Sequence, residues 1–344
     1  MENATGFNPK VWIGIDVAKN DFEAAILNEN IAFSEKVFKK LKAKTFNNSK
    51  SGAKQLIKWV EDIAAIQNVH FTMEATGIYS LKLQKNMVEA NKEIKVSIVN
   101  PYLTASFIKS LGLRSKTDRL EAKALAFYAK ERKPRLFLAQ TKTRETLKAL
   151  IREREAYVKQ NASLKNRIKE GYRAGNSEII CQCLKNLKDT LTKAINELEK
   201  EIKNLIKNST QLYREFKLIN SVDGVGFITA ATIMGEIGDF SRFLKARSLS
   251  NFVGLSPRIY TSGTSVSRKT RLSKQGNPRV RKALYMAAMA AGRSIYFKDF
   301  KKRLTEAGKS KMTIIGAIMR KLMVVIRAVV LSNQPFDRFR FCKN

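Results

Sequence analysis

The chain has 344 residues, enough for two or three domains at roughly 100–200 residues each. Its 65 lysines and arginines stand against 30 acids, a net charge of +35 spread along the whole length, which calls for a polyanionic partner. Nucleic acid is the first candidate and an acidic membrane surface the second. Cys181, Cys183 and Cys342 with the single histidine His70 exclude a zinc quartet and a disulfide framework, so a reduced, cytoplasmic protein is expected. "MENATGFNPK" lacks the apolar core of a signal peptide. The apolar stretch 312–331 is interrupted by Arg320, Lys321 and Arg327, which predicts a buried helix rather than a membrane span.

In chain order, residues 11–17, 22–28 and 32–39 read as three short strands, with Asn20-Asp21 and Asn28 to Asn30 supplying the turns. The first of them, "VWIGIDV", is apolar until Asp16. A helix follows from Ser51, its expected N-cap. "VHFTME" (69–74) is another buried strand ending in a carboxylate, Glu74. Gly77 turns the chain into a helix, "IKVSIVN" (94–100) is a fifth strand, and "TDRLEAKALAFYAK" lies in a helix. A meander of strands followed by alternating helices and strands predicts an α/β domain on a mixed sheet.

From about 141 to 208 the apolar spacing alternates between three and four: Leu184, Leu187, Leu191, Ile195, Leu198, Ile202 and Leu205 form one stripe. Two long helices around a Gly-containing break predict an antiparallel coiled-coil hairpin, a spacer or an arm for assembly or for gripping a duplex. Residues 215–300 form a third unit. Its "DGVG" turn between two helices resembles a helix-hairpin-helix, in which glycine amides meet a phosphate, although a plain tight turn fits as well. Beyond it Arg268, Lys269, Arg271, Lys274, Arg279, Arg281 and Lys282 crowd among Ser, Thr, Gly and Asn. Charge for phosphates beside hydroxyls and amides for hydrogen bonds is the composition of a surface that grips a nucleic-acid backbone.

Asp16 and Glu74 end strands, where a side chain reaches the sheet rim on a fixed backbone. Asp118 and Glu121 sit three residues apart on one helix face. Each acid alone has an ordinary explanation: a turn, the helix dipole, a neighbouring cation. Four converging acids would repel one another and require a cation, and their hard oxygens select Mg²⁺ or Mn²⁺, the ions of phosphodiester chemistry.

"GIDVAKNDF", "MEATGIY", "KTDRLEAKALA" and "GLSPRIYTSGTSVSRKTRLSKQGNPRVRKALY" together, in order over almost the whole chain, resemble the DEDD transposases of bacterial insertion sequences, the family that includes the Piv and MooV DNA invertases. The resemblance implies an α/β plus α architecture: a RuvC-like, RNase H-type mixed-sheet domain at 8–140, a coiled-coil hairpin at 141–210, and a mainly helical C-terminal transposase domain at 211–344. It maps the family's acidic motif onto Asp16, Glu74, Asp118 and Glu121. The last position departs from the usual Asp, and the extra methylene moves the oxygens by about one bond length. It also implies a serine nucleophile that joins to DNA, on motif position Ser262, with Ser265 and Ser267 as competitors. With no histidine nearby, activation would fall to the acid-bound metal, which implies a composite site, within one subunit or between two. Family members use a structured non-coding RNA to choose their DNA, so the expected partners are DNA, a guide RNA and further copies of the chain, as a dimer or tetramer, with no membrane. A RuvC-like junction resolvase or nuclease would need the acids and no serine. A non-catalytic nucleic-acid binder would need neither.

Overall fold

The structure, a computed structural model, describes residues 7–113, 115, 117–175, 177–262 and 266–337. The chain divides into two compact units, Met1–Ala139 and Gln140–Asn344.

The first unit runs β1 (Val11–Val17), β2 (Asp21–Asn28), α1 (Glu35–Lys40), β3 (Ala43–Asn47), α2 (Lys50–Glu61), β4 (Val69–Glu74), α3 (Ile78–Ala90), β5 (Lys95–Val99), α4 (Pro101–Ser110) and α5 (Asp118–Arg132). The sheet order is β3-β2-β1-β4-β5. β1, β2 and β3 pair antiparallel, while β4 and β5 run parallel to β1. This is the mixed sheet that the order of elements predicts. β1 is central and covered on both faces, which is why its sequence is apolar up to Asp16. Ile13, Ile15 and Val17 pack with Phe71 and Met73 and with Leu56 of α2 and Leu83 of α3. Trp12, on the opposite face, packs with Leu27 of β2, Phe38 of α1 and Phe127 of α5.

One position fixes how closely α5 lies on the sheet. A Cβ placed on Gly14 would stand 2.1 Å from the carbonyl oxygen of Ala122 and 2.3 Å from the amide of Ala126. Only glycine lets the helix backbone rest directly on β1, two residues before Asp16.

The stretch 32–39, expected as a strand, is mostly the short helix α1, and the edge strand lies later, at Ala43–Asn47. Ser34 explains the difference: it is extended, and its hydroxyl accepts from the amide of Val37, so it caps a helix. The N-cap of α2 is likewise Ser49, accepting from Gly52, rather than Ser51.

The second unit contains α6 (Lys142–Arg173), α7 (Glu178–Lys207), α8 (Thr210–Asn220), α9 (Phe227–Ile237), α10 (Ala246–Val253), β6 (Pro257–Ser262), β7 (Val266–Leu272), α11 (Pro278–Ala291), α12 (Lys298–Glu306) and α13 (Lys311–Ser332). It is helical apart from the antiparallel β6–β7 ribbon. α6 and α7 are the two long helices expected on either side of the glycine break. Leu147, Ile151, Ile202 and Ile206 from their bases join one core with α8, α9, α11 and α13. Buried Arg144 of α6 donates to both carboxylate oxygens of Glu215 and to the carbonyl of Gly238 at 3.2 Å, so this inward charge is paired. Gly224 of the "DGVG" turn has φ +83°, and a Cβ there would lie 2.6 Å from the carbonyl of Ala287, so close packing on α11 requires the glycine. α13, over the apolar stretch 312–331, buries Ile318, Leu322 and Ile326 in that core. Among the described residues no helix is long and apolar enough to cross a membrane.

Candidate active site

The parallel register of β1 and β4 pairs Ile15 with Met73, so the next residue on each strand is Asp16 and Glu74, side by side at the same sheet edge. Thr117 caps α5, accepting from the amide of Leu120, and the first turn that it starts carries Asp118 and Glu121. Because α5 rests on β1 at Gly14, that turn comes to the strand end that holds Asp16.

The electrostatics show the convergence. The Asp16 carboxyl is pushed up from its ordinary 3.8 to about 7, first by burial and then by the negative charges of Glu121, Asp118 and Glu74 in that order. The amide of Val17 opposes the shift. The expected acids are therefore brought together from two strands and one helix. As they stand, no group of three His, Cys, Asp or Glu side chains among the described residues is gathered tightly enough to hold a metal ion. Like charges hold carboxylates apart when no cation lies between them, and the coupling of Asp16 to the other three acids marks them as neighbours. In chemistry the set fits Mg²⁺ or Mn²⁺, being oxygen-only and carrying excess negative charge on one partly buried group.

Two neighbours went unnoticed in the sequence. Thr104 of α4 is fully buried, and its hydroxyl donates to Oε1 of Glu74. Glu23 of β2 is the cross-strand partner of Asp16. It accepts from the hydroxyl of Thr45 and lies 3.7 Å from Nε of Arg119, the residue after Asp118. Arg119 also donates to the carbonyl of Ala43 at 3.3 Å, which ties the start of α5 to β3. Only pairing register and tertiary contact reveal either neighbour. The period-two alternation of β2 would have placed Glu23 on one face, but not opposite Asp16.

Residues 13–171, which contain all four acids, match the profile of a family described as Transposase. Residues 216–304 match Transposase IS116/IS110/IS902 family. Over 336 residues the chain is 33% identical to the pilin gene-inverting protein of Moraxella bovis, covering 96% of this chain and 98% of that one. The chain belongs to the IS110/IS116/IS902 transposase family. A further member, the transposase for insertion sequence element IS1111A of Coxiella burnetii, is 24% identical, covering 85% of this chain and 80% of that protein. Among solved structures, Thermus thermophilus RuvC aligns with 37% of this chain and 99% of its own at 13% identity, with a TM-score of 0.28.

The other residues singled out in this transposase lie in the second unit. Ser262 is the last residue of β6 and pairs with Val266, one register step beyond the Thr261–Ser267 pair. Ser265 lies outside the described residues, as do the side chains of Ser262, Ser267, Arg268 and Lys269. Arg271 lies on β7, and Lys274 follows it with φ +55°. Arg279 and Arg281 are engaged within the fold. Arg279 is ion-paired with Glu155 at 2.9 Å, and buried Glu236 beside it takes Arg152 at 2.6 Å and the side-chain amide of Asn277 at 2.8 Å. Arg281 donates to the carbonyls of Val253 at 2.8 Å and Gly276 at 3.1 Å. These contacts hold the N-terminus of α11 against α6, α9 and α10, whereas Arg271 and Lys274 are exposed.

Proposed function

We propose that this transposase cleaves and rejoins DNA, with Asp16, Glu74, Asp118 and Glu121 holding Mg²⁺ or Mn²⁺ and with Ser262 as the nucleophile that joins to DNA. The observation that carries the metal reading is the pressure of three carboxylates on Asp16, one from β4 and two from the first turn of α5. A bound divalent ion would polarise the scissile phosphate and favour deprotonation of an attacking hydroxyl.

The residues then have distinct tasks. Asp16 and Glu74 present oxygens from rigid strand ends, and Asp118 and Glu121 add theirs from the first turn of α5. The Ser262 hydroxyl loses its proton, its oxygen forms a bond to phosphorus, and one phosphate ester bond of the DNA breaks. The departing DNA oxygen takes up the proton that the serine gave up, through water, and leaves as a hydroxyl. Reversal on a new DNA end restores the ester and frees the serine. One phosphodiester bond replaces another at each step, so no external energy source is required. His70 supplies no base for this chemistry. It is buried beside Ser97 with its pKa lowered to about 4, and it serves the sheet.

Arg268, Lys269, Arg271 and Lys274 hold phosphates, in a segment of hydroxyls and glycine without aromatic platforms. The +35 charge supports binding a structured guide RNA together with DNA, in an assembly of more than one subunit.

Chelation tests the reading. EDTA is expected to stop strand cleavage by the purified protein and its RNA, and added Mg²⁺ or Mn²⁺ to restore it. Full cleavage in EDTA would remove the metal from the mechanism.

A further inference from the structure

We propose that Thr104 is a positioning residue for Glu74 and sets the divalent-metal affinity of the acidic cluster, an inference that rests on the metal reading above. β5 pairs Val99 with Glu74. The chain then turns at once into α4, whose N-cap Asn100 accepts from the amide of Tyr102. This places Thr104 in the first turn of a helix that starts beside Glu74. Phe107, one turn further, is buried with Val99 and Tyr128, so α4 is anchored to the sheet by the face that carries Thr104.

Thr104 is completely buried, and its hydroxyl donates to Oε1 of Glu74 while lying 3.0 Å from the carbonyl of Pro101. The buried hydroxyl has two acceptors in reach, the Pro101 carbonyl of its own helix and the Glu74 carboxylate, and the charged oxygen is the stronger of the two. The consequence is directional. Glu has three side-chain torsions, one more than Asp, so the carboxylate at the tip of β4 has more orientations to choose among, and Asp16 repels it. The hydrogen bond from a helix with its own anchor restricts that rotation before any ion arrives. Groups that orient metal ligands in this way typically govern affinity by about 10–100-fold.

The test is Mn²⁺ binding, followed by electron paramagnetic resonance on the full-length protein without DNA, for wild type, Thr104→Val, Thr104→Ser and Glu74→Gln. Thr104→Val keeps the shape and removes the donor. It is expected to weaken Mn²⁺ binding about tenfold or more. Thr104→Ser keeps the donor and is expected to stay within about threefold of wild type, by the standard uncertainty of a single hydrogen bond's contribution. Glu74→Gln identifies the ion that belongs to the cluster, because only that signal should weaken. Thermal melts confirm folding, and Thr104→Ala replaces the valine variant if the latter melts early. Wild-type affinity in the folded variant lacking the hydroxyl overturns the inference. So does a serine variant as weak as valine, since packing and not the hydroxyl would then be responsible. A wild-type protein that binds no Mn²⁺ removes the metal reading and this inference together, whereas binding that is indifferent to Thr104 removes this inference alone.

Discussion

Asp16→Asn is expected to abolish strand cleavage while DNA binding stays within about twofold, because the basic residues proposed to hold phosphates lie elsewhere in the chain. The same substitution should stabilise the metal-free protein above neutral pH. The Asp16 carboxyl titrates at about 7 in the folded chain against 3.8 ordinarily. Between those values the folded chain keeps a proton that the unfolded chain has lost. Stability therefore falls as pH rises from about 4 to 7, and the full cost persists above that. A shift of this size corresponds to about 4 kcal/mol, and solvent screening of a partly exposed carboxylate reduces it to about 1–2 kcal/mol. Asparagine carries no charge and escapes the cost. In EDTA its melting temperature should exceed that of wild type by several degrees at pH 8, at about 2–4 °C per kcal/mol, and the gap should close near pH 4. Added Mg²⁺ should narrow the gap at pH 8 by binding the wild-type folded state. An asparagine variant that still cleaves, or a gap that ignores pH, would show that Asp16 does not stand in a charged cluster.

Ser262→Ala carries the second large effect. A stalled wild-type reaction should yield protein-linked DNA that survives boiling in detergent. The alanine variant should yield none, with strand joining reduced by about 10³-fold or more. The motive is the place of Ser262 in "TSGTSVS", within the segment matched by the family and at the end of β6 where the ribbon turns. Loss of the adduct in Ser265→Ala or Ser267→Ala, with Ser262→Ala unaffected, would move the nucleophile along the loop. Indifference to all three serines, with dependence on the acids, would favour a nuclease that hydrolyses without a covalent intermediate.

The acids were legible because each occupies a position with a local signature. Asp16 and Glu74 interrupt apolar runs at strand ends, and Asp118 and Glu121 follow the capping residue Thr117. The mixed sheet was legible for the same reason, since β1, β4 and β5 are buried strands with clear ends. What failed had weak or ambiguous signals. The residues of α1 include Val37 and Phe38, which suggest a strand until the capping geometry of Ser34 is known. Edge strand β3 buries only Phe46, so half of its sequence reads as loop. The β6–β7 ribbon was hidden because it is written in Arg, Lys, Ser and Thr rather than as one apolar face. Thr104 and Glu23 were invisible because their partners lie 30 residues away in one case and across a strand register in the other. The charges of Arg279 and Arg281 looked like surface, yet a guanidinium serves equally well to bind carboxylates and carbonyls inside a fold.

The central claim is that the acidic cluster is a metal site, and a crystal of the protein soaked in Mn²⁺ tests it most directly through anomalous scattering. An ion is expected between Asp16 and Glu74 at about 2.0–2.3 Å from their carboxylate oxygens, with Asp118 completing the protein ligands. Glu121 should reach the same ion or a second one beside it, its longer side chain making up the difference from aspartate. Manganese elsewhere on the protein, with none at Asp16 under the same soak, would contradict the claim.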